Sequence, residues 1–126
     1  MNDNKVRTHR LPRQDSRLLN VVDAGPIDAP VWFYCHGIPG SSNEVFMASE
    51  TGRSREVRLI AIDRPGYGGS TPSQRYSLAE HSDDIRAVAD HLQIKQLSLL
   101  GFSGGGVFAM GAALALSDRV QRLILV

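Results

Sequence analysis

Apolar residues along this chain fall either into short unbroken runs or into longer stretches where they recur every three or four positions. The runs Leu18 to Asp23, Val31 to Cys35, Val57 to Ile62, Leu97 to Leu100 and Leu123 to Val126 are bounded by Gly, Pro and polar turn residues, which predicts strands. They are continuous rather than alternating, as in strands buried on both faces. The first is expected to be an outer strand ending at the turn Ala24-Gly25-Pro26, with residues 1–16 a terminal strand or arm. Between the runs, Ser77-Leu-Ala-Glu80 has the form of a capping box, in which the Ser hydroxyl and Glu carboxylate satisfy backbone donors at a helix start. Leu78, Ile85, Val88 and Leu92 follow at helical spacing, predicting a helix to about Leu92. Ser41-Ser-Asn-Glu44 carries the same signature and predicts a shorter helix through Ser49. A third helix is expected after Gly104, with Val107, Met110 and Leu114 facing inward and Ala112, Ala113 and Ala115 allowing close packing. Strands alternating with helices predict an α/β fold, a mostly parallel sheet with helices on both faces.

Composition narrows the partners more than the fold. With 126 residues, 42% of them hydrophobic, the chain suits one domain. Fourteen Lys and Arg against 13 Asp and Glu leave a formal charge of +1, and so no electrostatic reason to expect nucleic acid or an anionic membrane as partner. The local excess at Lys5, Arg7, His9, Arg10, Arg13 and Arg17 is diluted by Leu, Pro, Gln and Asp, and reads as a solvated strand or arm rather than a phosphate-binding patch. The single cysteine, Cys35, lies inside an apolar run, where a buried free thiol and a reducing, cytoplasmic setting are expected. The longest apolar run, Val107 to Leu116, is half of the roughly 20 residues that a membrane span needs.

The candidate chemistry lies in the glycines. Nine of the 12 fall in three clusters, each just after a predicted strand and therefore at the carboxyl edge of the sheet, where α/β proteins bind ligands. These are His36-Gly-Ile-Pro-Gly-Ser41, Asp63-Arg-Pro-Gly-Tyr-Gly-Gly-Ser70 and Gly101-Phe-Ser-Gly-Gly-Gly106. In the third, Gly-x-Ser-x-Gly connects a strand to a helix, the context of a nucleophile elbow. A sharp strand-to-helix turn strains Ser103 and brings neighbouring chain so close that side chains at 101 and 105 would collide. The turn exposes the Ser103 hydroxyl, and the Gly104 N–H, at a helix start, faces the oxygen that becomes negative in acyl transfer. Two other readings compete for an isolated motif of this kind. Ser103 could cap the helix; a glycine-rich helix start could bind phosphate, although the Lys-Ser/Thr ending of a P-loop is absent and the glycine spacing does not fit a dinucleotide fingerprint.

The three clusters, in this order and spacing, resemble those of the α/β-hydrolase family, in particular its esterase-like serine hydrolases, from about Arg17 to Val126. The resemblance implies Ser103 as nucleophile and the amides of Ile38 and Gly104 as oxyanion-hole donors. It makes His36, Gly37, Gly101 and Gly105 structural around the site, and Asp63 and Arg64 scaffold, with Pro65-Gly66 suited to a type II turn. It implies a small-molecule acyl substrate and no metal or cofactor. Relatives place the triad acid and then the histidine after the serine. Only 23 residues follow Ser103, and the four histidines, His9, His36, His81 and His91, all precede it. His81 and His91 are expected on the helix away from the elbow, Asp83 and Asp84 to be a solvated pair, and Asp118 to be a loop residue. The acid and histidine are therefore expected outside this chain, which reads as the first part of such a domain, cut after about the sixth strand. The apolar strand at Leu123 would leave an open edge, suited to a complementary C-terminal half or to self-association, and isolated fragments should be poorly soluble and inactive.

Overall fold

The computed structural model describes residues 5–50 and 56–126, with side chains for 5–47 and 56–126. The start of the N-terminal arm, before Lys5, lies outside the described residues. In chain order the elements are β1 (Val6–Pro12), β2 (Leu18–Ala24), β3 (Val31–Cys35), α1 (Asn43–Glu50), β4 (Arg58–Ile62), α2 (Leu78–His91), β5 (Leu97–Gly101), α3 (Gly105–Ala115) and β6 (Val120–Leu125). One sheet holds the strands in the order β1-β2-β4-β3-β5-β6. β1 and β2 are antiparallel to their neighbours, while β4, β3, β5 and β6 run parallel.

The continuous apolar runs are explained by a core on each face. Phe33, Cys35, Ile60, Ile62, Leu97 and Leu99 point to the side where Ile85, Val88 and Ala89 of α2 and Ala109, Ala112 and Leu116, in and just after α3, pack. Their neighbours Tyr34, Leu59 and Ala61 point to the other side, with Val22, Ala24 and Val45 of α1. Each fully buried Ile or Phe stabilises the fold by about 1.5–3 kcal/mol relative to exposure. Among the described residues β6 pairs with β5 alone, and Leu123, Ile124 and Leu125 are exposed.

Several expectations are corrected. β2 is not an outer strand, because the N-terminal arm forms β1 and pairs with it along its whole length. β6 begins at Val120 rather than Leu123, its start hidden by the polar pair Gln121-Arg122. In α3, Val107, Met110 and Leu114 face outward, and Phe108, Ala109 and Ala112 face inward. In α2, Leu78 is exposed although Ile85 and Val88 are buried. Half of the α2 capping box forms: the Ser77 hydroxyl accepts from the Glu80 N–H at 3.1 Å, but the Glu80 carboxylate accepts from the Ser73 hydroxyl and faces Arg17 instead.

The basic N-terminal stretch is a strand, with Lys5 and Arg10 exposed, but it is not solvated throughout. Arg7 and His9 join Arg58 around the buried Asp23. Burial alone would raise the Asp23 carboxyl, but Arg58, Arg7 and His9 outweigh it and hold it well below the usual carboxylate range. Arg13 and Arg17 reach Asp84, which is fully buried on α2 and so not one of a solvated pair; Asp83, beside it, is exposed. No helix among the described residues is long and apolar enough to cross a membrane.

Strand order determines where a site can form. From β3 the chain crosses through α1 to β4 on one side, then returns through α2 to β5 on the other. The carboxyl ends of β3 and β5 therefore flank the point where the order reverses, the position at which open α/β sheets bind ligands.

Candidate active site

The loop after β5 makes the sharpest turn in this region. Ser103 has φ +50°, a left-handed backbone conformation that a serine holds at a cost of order 1–3 kcal/mol. Its neighbours explain how the turn is held. A Cβ on Gly101 would lie 2.6 Å from the Gly106 Cα, and one on Gly105 would overlap the Cys35 and His36 carbonyl oxygens. The predicted collisions at 101 and 105 are thus both present. The end of β6 braces the turn, with Val126 N–H donating to Gly101 O and Ser103 N–H donating to Val126 O, each at 2.9 Å. Ser103 is exposed. It does not cap α3, because the cap position belongs to Gly104, without a side-chain bond.

Opposite the elbow, the loop after β3 presents Ile38. The Ile38 side chain lies against Gly104, whose added Cβ would come within 2.9 Å of it. Among the described residues, neither the Ile38 nor the Gly104 N–H donates a hydrogen bond. Two backbone N–H groups without partners among the described residues thus belong to the two loops that meet at Gly104, next to the exposed Ser103. Phe102, which the sequence analysis did not single out, is also exposed here, its ring against Gly37.

The β3 loop is held from behind. His36 is buried, its Nε2 accepting from the Arg64 N–H at 3.1 Å; the other nitrogen, Nδ1, therefore carries the proton and donates to Gly37 O at 2.9 Å. Burial lowers its pKa below the ordinary histidine value and outweighs the hydrogen bond to Gly37 O, which raises it; the Arg64 charge lowers it further, against smaller opposing effects of Asp63 and Glu44. Arg64, also buried, donates to His36 O at 2.5 Å and Gly37 O at 3.1 Å. Asp63 accepts from the N–H groups of Ser42 and Gly69 and from the Asn20 amide, tying three segments together. Arg64 to Tyr67 is a type II turn, with Gly66 at φ +82° and the Tyr67 N–H donating to Arg64 O at 2.8 Å. Cys35 is buried and unpaired, its thiol pushed up to about 12 by burial, which leaves it protonated and inert.

The remaining histidines are engaged elsewhere or lie apart from the elbow. His9 pairs with Asp23, and His91 is exposed in the last turn of α2. His81 is buried edge-on against Phe108, and its Nδ1 has no hydrogen-bond partner. Burial, then the charge of Arg64, pushes its pKa down to about 3, so the folded protein holds it neutral while the unfolded chain protonates near 6.5. Between those values the unfolded state binds more protons, so stability is full above about pH 6.5 and falls as pH drops toward 3. The denaturation midpoint should accordingly decline between pH 6.5 and 4. His81→Phe should reduce that decline without removing it, because His36 is shifted in the same direction. Parallel profiles for the two proteins would exclude this role for His81.

No cluster of three or more His, Cys, Asp or Glu suited to a metal ion occurs among the described residues. The sequence profile of the family described as alpha/beta hydrolase fold matches residues 30–126. The chain is 35% identical over 106 residues to the magnesium-chelatase 30 kDa subunit of Rhodobacter capsulatus, covering 82% of this chain and 36% of that protein. It is 34% identical over 106 residues to a bifunctional esterase/perhydrolase of Acinetobacter calcoaceticus, covering 82% of this chain and 38% of that protein. Among solved structures, an epoxide hydrolase from hot-environment metagenomes superposes with a TM-score of 0.81 at 34% identity, over 96% of this chain and 42% of that one. The chain thus spans little more than a third of the length of these two curated relatives. With a family profile extending from β3 to the end of β6 over the same strand order and elbow, the chain belongs to the α/β-hydrolase family.

Proposed function

We propose that the protein containing this chain is a serine hydrolase that cleaves an ester or related acyl bond through an acyl-enzyme on Ser103. The observation that carries this reading is the exposed Ser103 at φ +50°, next to Gly104 and the Ile38 loop, whose Gly104 and Ile38 N–H groups have no hydrogen-bond partner among the described residues. The hydroxyl attacks the acyl carbon, the carbonyl oxygen takes the negative charge and accepts from the Ile38 and Gly104 amides, and the leaving group departs with a proton. Water then releases the acid. Losing one such donor typically costs about 3 kcal/mol of transition-state stabilisation. Curated relatives bearing esterase names support acyl chemistry. Likeness to epoxide hydrolases carries less weight, because position 103 is a serine where those enzymes hold an aspartate.

A serine reacts only when a base takes its proton. His36 has both ring nitrogens committed, and His81 is buried against Phe108. The histidine and its acid are therefore assigned to the rest of the protein that contains this chain. A cytoplasmic setting suits the protonated, buried Cys35. Labelling of the full-length protein with a fluorophosphonate tests the nucleophile: the wild type is modified and Ser103→Ala is not, whereas undiminished labelling of the variant overturns the assignment.

A second reading, a non-catalytic part-domain or a half that requires a complementary chain, draws support from the open apolar edge of β6. These 126 residues alone are expected to be poorly soluble and inactive. A monodisperse monomer with Ser103-dependent esterase activity would contradict that, and co-expression with a C-terminal half separates the two readings by whether activity returns.

A further inference from the structure

Among the described residues Arg64 is the largest fully buried side chain, and no carboxylate bonds its guanidinium. Its two terminal nitrogens are directed instead at consecutive carbonyls of the β3 loop, His36 O at 2.5 Å and Gly37 O at 3.1 Å. The Phe108 ring lies 4.5 Å from the guanidinium carbon and the Tyr67 ring 5.6 Å, and the Tyr76 hydroxyl also meets the Arg64 side chain, while Nε has no hydrogen-bond partner among the described residues. A buried charge with no carboxylate bonded to it is costly. Because Arg64 has no exposed surface, direct contact with substrate is excluded.

The geometry of the peptide unit supplies a role. Gly37 C=O and Ile38 N–H belong to one planar trans peptide, in which the carbonyl and the amide point in opposite directions. Gly37 O is held inward by two donors, Arg64 Nη2 and His36 Nδ1. With that oxygen fixed toward the interior, the Ile38 N–H must point outward, on the side where Gly104 and Ser103 lie. A positive charge on the carbonyl also polarises the peptide and makes its N–H a stronger donor.

We propose that Arg64 is a positioning residue for the oxyanion donor Ile38: by binding the His36 and Gly37 carbonyls from beneath, its guanidinium aims and strengthens the Ile38 amide. The proposal rests on the reading of Ser103 as an acyl nucleophile. Lysine cannot bridge both carbonyls as a planar fork does, so Arg64→Lys retains the charge but only part of the geometry.

In the full-length protein, Arg64→Met is expected to lower kcat/KM for a short-chain nitrophenyl ester by about 10- to 100-fold, with Arg64→Lys intermediate. The decisive readout is the ratio of affinities for two matched inhibitors. A trifluoromethyl ketone adds Ser103 and places negative charge in the oxyanion site, whereas the corresponding secondary alcohol occupies the same space without that charge. The ratio should fall with kcat/KM in both variants. Being a ratio, it is insensitive to the fraction of protein that is folded, so a destabilised variant remains informative. An unchanged ratio in Arg64→Met and Arg64→Lys overturns the proposal. Wild-type acylation in Ser103→Ala would instead show that the serine reading has failed, which keeps the two apart.

Discussion

Replacing Gly105 with alanine is expected to destabilise the protein by at least about 3 kcal/mol, while the same change at Gly106 leaves it unaffected or up to about 1 kcal/mol more stable. The two glycines are consecutive in the first turn of α3 and differ in what stands opposite. A Cβ at Gly105 would overlap the Cys35 and His36 carbonyl oxygens at the end of β3, and backbone atoms cannot turn aside as a side chain can. Relief requires α3 to lift away from the sheet, which opens the contact between Gly104 and Ile38 and separates the two amides beside Ser103. At Gly106 the nearest atom to an added Cβ is Leu125 Cδ2, an ordinary contact at 3.6 Å, so the change gains helix propensity at no steric cost. Urea midpoints of the two variants provide the measurement. If both shift in the same direction by similar amounts, close approach is not the reason for a glycine at 105.

That contrast also shows what the sequence could convey. The elbow was legible because its constraint is local: strand, turn and helix follow within a few residues, and the glycines at 101 and 105 are the steric consequence. The place of the loop after β3, at the carboxyl edge of the sheet, was legible from its strand and glycines, whereas the role of Ile38 in it came from the family resemblance. The inward face of α3 was not legible. That helix is apolar nearly all round, so the spacing of Val107, Met110 and Leu114 contains no information on phase. The buried face is instead the one with Ala109 and Ala112, small enough for close approach to β5, with Phe108 filling the space beside His81. Arg64 could be placed as scaffold from its motif, but its hold on two carbonyls of another loop depends on side-chain direction, which no periodicity encodes. Charged residues were misread whenever their partners were remote. Asp84 lies 67 positions from Arg17 and 71 from Arg13, and nothing near it in sequence distinguishes it from the exposed Asp83.

Those two neighbouring aspartates give the second large prediction: Asp84→Ala should cost about 3–5 kcal/mol and Asp83→Ala about 0.5 kcal/mol or less. Asp83 is exposed and pairs with Arg86 one turn along α2, a surface pair in which solvent screens most of the attraction. Asp84 has no exposed side-chain surface. Its two oxygens accept both terminal nitrogens of Arg17, at 2.8 and 2.9 Å, and one of them also accepts Arg13 Nε at 3.0 Å. Arg17 is in turn held by Asp15 and faces Glu80, and Asp84 above all raises its pKa beyond the ordinary arginine value. Removing Asp84 leaves the buried Arg17 without the partner that compensates its desolvation, and frees the β1–β2 hairpin from α2. Much of the expected loss is thus the penalty of a stranded charge rather than the net worth of the pair. Asp84→Leu combined with Arg17→Met should accordingly be less destabilising than the sum of the two single changes, since it withdraws both charges together. Strictly additive losses in that cycle would show that Asp84 and Arg17 stabilise the fold independently, and that the hairpin is held to α2 by something other than their contact.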